Sequence, residues 1–509
     1  MKFRLPTRMT VSIILVLLQI LMVIAATVAL IYFVPIVFFF GFAISVVVVL
    51  FILKKDDASA YKITWLAVLL FLPAVGGLVY GFFGNKRPLK RIAKHAKEHA
   101  IIAKQLDSDG DLPFVNCIDC GRMYSLMQYI RKISSYHAYQ NTGVKYYTMG
   151  EDMFEDMLTA LEKAKKFIFF EFFIVKKGEM WDRLLEVMER KAAEGVDVRL
   201  IVDDLGSQKL FSNIYTKQLR AKKIKVLRFN PMLPFLMLFM NNRDHRKILV
   251  VDGDVAFTGG INIGDEYINK TSRFGLWKDT GLKLTGEAVY SFTLMFIEMW
   301  DTFCRVEERI NAHGLYKGTG EVQAETDGLV LPYGDSPLDR IQLGENIYID
   351  ILNQAEKYVY IFTPYLIISE KMIHALRMTA DRGVDVRIVT PGIPDKKFVN
   401  RLTKSYYAYL LKAGVKIYEY TPGFMHAKSF VSDDKVAVVG TINLDFRSLY
   451  LHFECAVLLY KSSIISEVKA DADSVIAESQ QIFYTKTKKR RIFFDDLVDA
   501  VLHLFAPLM

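Results

Sequence analysis

Between Arg8 and Lys54 the sequence has no charged residue. That absence excludes an ordinary soluble helix, which needs a polar face. The run is too long for one membrane span of about 20 residues and suits two, broken near "YFVP" at Pro35. A third apolar run, Ile63 to Phe83, is long enough to span, and its Pro73, Gly76 and Gly77 are residues that membrane helices tolerate. A cleaved signal peptide fits poorly, because the first apolar stretch is too long and no small-residue cleavage site follows. Residues 1–85 are thus expected to be a transmembrane region with spans near 9–32, 35–53 and 63–83.

Acidic charge is scarce in the next stretch, where seven Lys or Arg stand against one Glu between Lys86 and Lys104. Residues 86–146 therefore read as a basic juxtamembrane linker lying on anionic lipid. This makes the net charge of +9 partly local. The cluster places the soluble part in the cytoplasm, with the chain multi-pass in the cell membrane. Cysteine is rare as well: Cys117 and Cys120 form a lone C-x-x-C, and Cys304 and Cys455 stand apart. A single pair without a second is no zinc framework.

From about Tyr147 the chain alternates helix and strand, which argues an α/β fold, and it does so twice. "ALEKAKKFIFFEFFIV" (160–175) has the form of "ILNQAEKYVYIFTPYLI" (351–367), and "AAEGVDVRLIVDD" (192–204) that of "TADRGVDVRIVTP" (379–391). Gly195 and Gly383 are 188 positions apart, His245 and His426 181. A period this long means two copies of a domain, expected at 147–320 and 321–509. The first copy inserts "PMLPFLMLFMNN" (231–242) before its His, an apolar loop that needs core or lipid beside it.

Each copy carries one polar outline, "HRKILVVD" from His245 and "HAKSFVSD" from His426, followed by "GGIN" or "GTIN". On a strand, side chains two apart share a face, so His245 and Lys247 act together, as do His426 and Lys428. Asp252 and Asp433 complete the two sets, and their parity and Asp-Gly-type context suit fixing the strand end. A phosphodiester fits these groups. Lysines, with the amides of Asn262 and Asn443, can hold its oxygens, one imidazole can attack phosphorus, and a second can protonate the leaving alkoxide. Two histidines are needed, so each copy is expected to supply half of one site. The second ring nitrogen of each His needs a carboxylate, for which Asp279 and Glu454 are candidates. No metal-ligand cluster is evident in the sequence, so metal-independent, cofactor-free chemistry is expected.

With these residues the sequence resembles the phospholipase D superfamily, whose mark is a duplicated HxKxxxxD motif. Within it the chain resembles the bacterial cardiolipin synthases, through "NRDHRKILVVDGDVAFTGGINIGDEY", "GVDVRIVTPGIPDKK", "EYTPGFMHAKSFVSDD", "GTINLDFRSL" and the ending "APLM". The resemblance covers about Lys54 to Met509. It implies two phospholipase D-type domains, each a mixed sheet flanked by helices, sharing one site behind N-terminal transmembrane helices. It implies transfer of a phosphatidyl group between two phosphatidylglycerols, giving cardiolipin and glycerol, with His245 as nucleophile and His426 as general acid. Phosphatidylglycerol and anionic membrane lipid are then the partners, with no nucleic acid, whose polyanion would need an open basic groove rather than an apolar mouth. Alternatives are a phospholipase D-type hydrolase and a non-catalytic lipid scaffold. The chain departs from the family in its extra first apolar run and in His452, where Asn is common.

Overall fold

The computed structural model describes residues 7–33, 35–73, 75–84, 121–231, 242–310, 316–318, 327–339, 341–484 and 493–508. The basic cluster 86–104, Cys117, Cys120, most of the apolar insertion and the basic run 486–491 lie outside them. The chain forms two compact units.

One unit holds the helices Thr7–Phe33, Pro35–Lys54, Ser59–Phe71 and Gly76–Phe83. Among the described residues, one stretch, Thr10–Ala29, is a helix long and apolar enough to cross a membrane. The third apolar run departs from its expected single span. It breaks at Leu72 into helices of 13 and 8 residues, because Pro73 has no N–H to continue the ladder. The freed Pro73 carbonyl accepts instead from Ser45 Oγ at 2.7 Å. Tyr61, Trp65, Leu69 and Tyr80 form this unit's core with Ile52. The C-terminal helix Phe493–Phe505 groups here rather than with the second repeat, where the sequence reading put it. Thr64 Oγ1 donates to the Leu504 carbonyl at 2.6 Å.

The other unit carries the duplication. Its first sheet runs Thr142–Tyr147, Gly281–Gly286, Val255–Gly259, Lys247–Val251, Phe167–Phe172, Asp197–Asp203, Lys225–Phe229. The second runs Leu329–Asp335, His452–Tyr460, Val436–Gly440, Ser429–Ser432, Tyr358–Phe362, Asp385–Pro391, Lys416–Tyr420, Ser479–Ile482. In each, three parallel strands meet an antiparallel hairpin whose first strand follows the His-x-Lys motif. Both sheets are mixed and flanked by helices, as an α/β duplication requires. The parallel strands Phe167–Phe172 and Tyr358–Phe362 are buried on both faces, which is why they read as apolar runs such as "FIFFEF". One apolar cluster joins the halves, with Phe169, Phe296 and Trp300 of the first packed with Phe453, Val457 and Val439 of the second. Part of the stretch expected as a linker belongs to this unit. The helix Gly121–Ser134 buries Met127 and Ile130 completely, and Thr142–Tyr147 is the edge strand of the first sheet.

Candidate active site

Two short parallel pairings bring the halves together. Arg243–Asp244, which leads into His245, pairs with His452–Phe453, which leads into Glu454. Gly423–Met425, which leads into His426, pairs with Leu276–Lys278, which leads into Asp279. Each histidine is therefore placed beside the carboxylate of the opposite copy. The backbone locks the arrangement: His245 N donates to the Phe453 carbonyl at 2.9 Å and His426 N to the Lys278 carbonyl at 2.7 Å.

The side chains follow. His245 Nδ1 lies 2.9 Å from both Glu454 oxygens, and His426 Nδ1 lies 2.6 Å from Asp279 Oδ2. A buried carboxylate only accepts, so each Nδ1 carries the proton and each Nε2 keeps its lone pair. The candidates Asp279 and Glu454 are thus both at the histidines, crossed between the copies.

The two carboxylates differ in their other bonds. Glu454 also accepts from Thr441 Oγ1, and from Ser448 Oγ at 2.6 Å, so its charge is shared among three donors. Asp279 has one further bond, from Thr280 N at 2.9 Å. Burial, together with Lys247 and Lys428, pushes the His245 imidazole well below its ordinary range. Burial pushes His426 down to about 4, with Asp279 pulling the other way. Burial thus disfavours the cationic form of both imidazoles, and at His426 Asp279 works against it.

Lys247 and Lys428 are buried, and each donates its ammonium to the carbonyl of its own motif's His. Burial pushes Lys247 down to about 8 and Lys428 to about 7, and Lys428 is also repelled by Lys247. Four potentially cationic groups share one dry site. An anion relieves that repulsion.

Asp252 and Asp433 stand apart from this chemistry. Asp252 accepts the N–H groups of Lys165, Lys166 and Phe167 at 2.7, 2.8 and 2.8 Å. Asp433 accepts those of Glu356, Lys357 and Tyr358 at 2.7, 2.8 and 2.9 Å. Both have φ near 55° in the turn after the motif strand, a left-handed conformation that Asp tolerates. They tie the turn to the start of the neighbouring strand and touch neither His.

The Asn262 amide is engaged at both ends, whereas Asn443 Oδ1 is buried with no hydrogen-bond partner among the described residues. Asn262 accepts from Ile174 N and donates to Tyr267 Oη, each at 3.0 Å, which fixes the Tyr267 ring 5.5 Å from His426. Asn443 N donates to Ser448 Oγ at 3.2 Å, and its side-chain amide reaches Asp445. Asn443 thus supports Glu454 through Ser448. Aromatic walls complete the site: Phe173 lies 5.0 Å from the His245 ring, and Trp277 5.2 Å from that of His426. Sequence reasoning passed over Thr441, Ser448, Tyr267, Trp277 and Phe173. The Thr in "GTIN" against Gly in "GGIN" was the visible signal for the first.

The family described as "Cardiolipin synthase, PLD-like domain" matches residues 157–289 and 348–476, and "Phospholipase_D-nuclease N-terminal" matches residues 43–85. The chain is 46% identical over 464 residues to an uncharacterized protein of Streptococcus mutans, covering 91% of this chain and 99% of that one. It is 34% identical over 477 residues to a cardiolipin synthase of Alkalihalophilus pseudofirmus, covering 92% and 93%. A crystal structure of phosphatidylserine synthase from Haemophilus influenzae shares the fold, with TM-score 0.56 at 15% identity over 76% of this chain and 98% of that one.

Proposed function

The chain belongs to the cardiolipin synthase family of phospholipase D-like proteins, and on that premise we propose that it joins two phosphatidylglycerols through a phosphohistidine on His245. It is a phosphatidyltransferase. The observation that carries the reading is the crossed pair of contacts, His245 to Glu454 and His426 to Asp279, which makes one two-histidine site out of two copies.

In this reaction the two histidines take different roles. A phosphodiester entering among Lys247, Lys428 and the two imidazoles brings the missing negative charge, holds the ammonium groups protonated and raises the proton affinity of His426. Neutral His245 attacks phosphorus through Nε2. The bond from phosphorus to the head-group glycerol oxygen breaks, and His426 gives that oxygen its proton. Glycerol leaves. A hydroxyl of the second phosphatidylglycerol then attacks the phosphohistidine, passes its proton to His426 and releases His245, giving cardiolipin. Phe173, Tyr267 and Trp277 line the site with apolar surface, which favours a lipid alcohol over water as acceptor. Asp252 and Asp433 act through the backbone, as positioning residues.

The N-terminal apolar helices are read as anchoring the enzyme in the cell membrane with its catalytic unit in the cytoplasm, and the basic sequence 86–104 as suited to anionic lipid. Three passages through the bilayer remain our reading of that region, the third made by the two short helices around Pro73 together.

The deciding assay supplies the detergent-purified chain with phosphatidylglycerol labelled in its head-group glycerol. Cardiolipin with labelled free glycerol is expected. Phosphatidic acid without cardiolipin would make water the acceptor and the enzyme a phospholipase.

A further inference from the structure

His452 is the position where the reaction leaves something over. Its side chain is buried, and neither ring nitrogen has a hydrogen-bond partner among the described residues. A buried imidazole with neither nitrogen within hydrogen-bond distance of a partner is an unfavourable way to fill space. The ring lies beside the nucleophile. Its centroid is 5.5 Å from that of His245, and its Nδ1 lies 3.7 Å from Glu454 Oε1.

We propose that His245, His452 and Glu454 form a binding site for a divalent transition-metal ion, with Zn2+ the best fit, and that occupancy of this site switches the enzyme off. The inference rests on the reading of His245 as nucleophile. One donor atom from each of the three residues lies within 4.8 Å of the others, so modest rotations bring them to the spacing a tetrahedral ion needs, with bonds of about 2.0–2.2 Å. Two imidazoles and a carboxylate are a donor set that zinc accepts and that magnesium or calcium, which prefer oxygen, do not. Glu454 has room for the ion. A carboxylate offers about four lone-pair positions, and its three donors are His245, Thr441 and Ser448. His452 Nδ1 approaches that carboxylate without a hydrogen bond of its own to it.

The consequence for catalysis is a matter of which nitrogen holds the proton. In the metal-free site Nδ1–H of His245 points at Glu454 and Nε2 is free to attack. An ion bound at Nδ1 sends that proton to Nε2, and an ion bound at Nε2 occupies the lone pair directly. Either way His245 has nothing left to offer phosphorus. His452 supplies the donor that Glu454 and His245 lack as a pair, and an Asn there would offer only a weak amide oxygen.

The test uses the full chain in detergent after EDTA treatment and dialysis, with Co2+ as a coloured probe and Zn2+ as inhibitor. Wild type should bind one Co2+ with visible absorption bands and lose cardiolipin formation at micromolar Zn2+, with EDTA restoring it. In His452→Asn and His452→Gln, Co2+ affinity should fall at least about 100-fold. The Zn2+ concentration that halves each variant's own metal-free rate should rise in step. Absence of Co2+ binding in an active wild type would overturn the proposal. So would inhibition of both variants at the wild-type Zn2+ concentration, since the ion would then act elsewhere. Co2+ binding is read without turnover, so a chain that binds the ion at these residues yet makes neither cardiolipin nor free glycerol would sink the proposed function and leave the metal site standing.

Discussion

His245 Nδ1 meets the Glu454 carboxylate at 2.9 Å across 209 residues of chain, while His426 meets Asp279 across 147. Each motif histidine takes its carboxylate from the other copy. On the proposed reaction the unit of catalysis is the interface, with one task for each of its two pairs.

That division can be separated by the leaving group. On phosphatidylglycerol, Glu454→Gln and Asp279→Asn should each lower turnover by about 10^3–10^4-fold, the scale seen when a catalytic histidine loses its orienting carboxylate. On a phosphatidyl ester of p-nitrophenol the leaving anion needs no proton. The first-turnover release of p-nitrophenolate should then recover to within about tenfold of wild type in Asp279→Asn and stay low in Glu454→Gln. Equal recovery of both variants would mean that the two histidines do not divide the roles in this way.

Gly260 is where the first Gly-rich turn passes the second histidine's carboxylate. A Cβ at this position would lie 1.9 Å from Asp279 Oδ1 and 3.1 Å from the His426 carbonyl. Gly260→Ala should push Asp279 off His426, reproducing the leaving-group signature of Asp279→Asn with little change in phosphatidylglycerol binding. A Gly260→Ala enzyme with wild-type turnover would show that Asp279 has slack the structure does not reveal.

The duplication and the four His and Lys positions were legible because the chemistry demands particular residue types at a spacing a strand enforces. The two carboxylates were found by the same logic, as partners a histidine requires. Their crossing was not. It depends on strand pairings of two and three residues between distant segments, Arg243–Asp244 with His452–Phe453 and Gly423–Met425 with Leu276–Lys278, and such short strands leave no periodicity to read. Asn262 reads as a ligand group because composition cannot tell an amide facing substrate from one bonded to Ile174 and Tyr267, while Asn443 keeps an unpartnered Oδ1. The C-terminal helix was placed in the second repeat by proximity in sequence. Its apolar residues would suit either unit, and only its contact with the helix Ser59–Phe71 decides.

Asp252 and Asp433 should separate stability from chemistry. Each carboxylate binds three backbone N–H groups at a strand start. Removing either leaves those donors to find water, so Asp252→Ala or Asp433→Ala should cost about 3 kcal/mol or more. Thermal melting of the purified variants should show this as a lowered Tm, while the folded fraction at low temperature keeps kcat within about tenfold. A variant with unchanged Tm and abolished kcat would restore the aspartates to the chemistry.

Anion binding should carry the signature of the two buried lysines. In the free site burial pushes Lys428 to about 7 and Lys247 to about 8, so above these values both ammonium groups are largely deprotonated. A bound dianion stabilises the charged forms, so binding takes up protons and affinity falls as pH rises through this range, by up to about tenfold per pH unit for each proton required. Sulfate is a suitable probe because its own charge is constant there. Lys428→Arg keeps a permanent charge at one position. Calorimetry in buffers of different ionisation enthalpy should therefore find wild type and Lys428→Arg taking up equal numbers of protons near about pH 6, and wild type taking up about one more near about pH 9. A pH-independent affinity in wild type would mean that both lysines are already charged in the empty site, and that a phosphodiester is not drawn in by restoring charge to them.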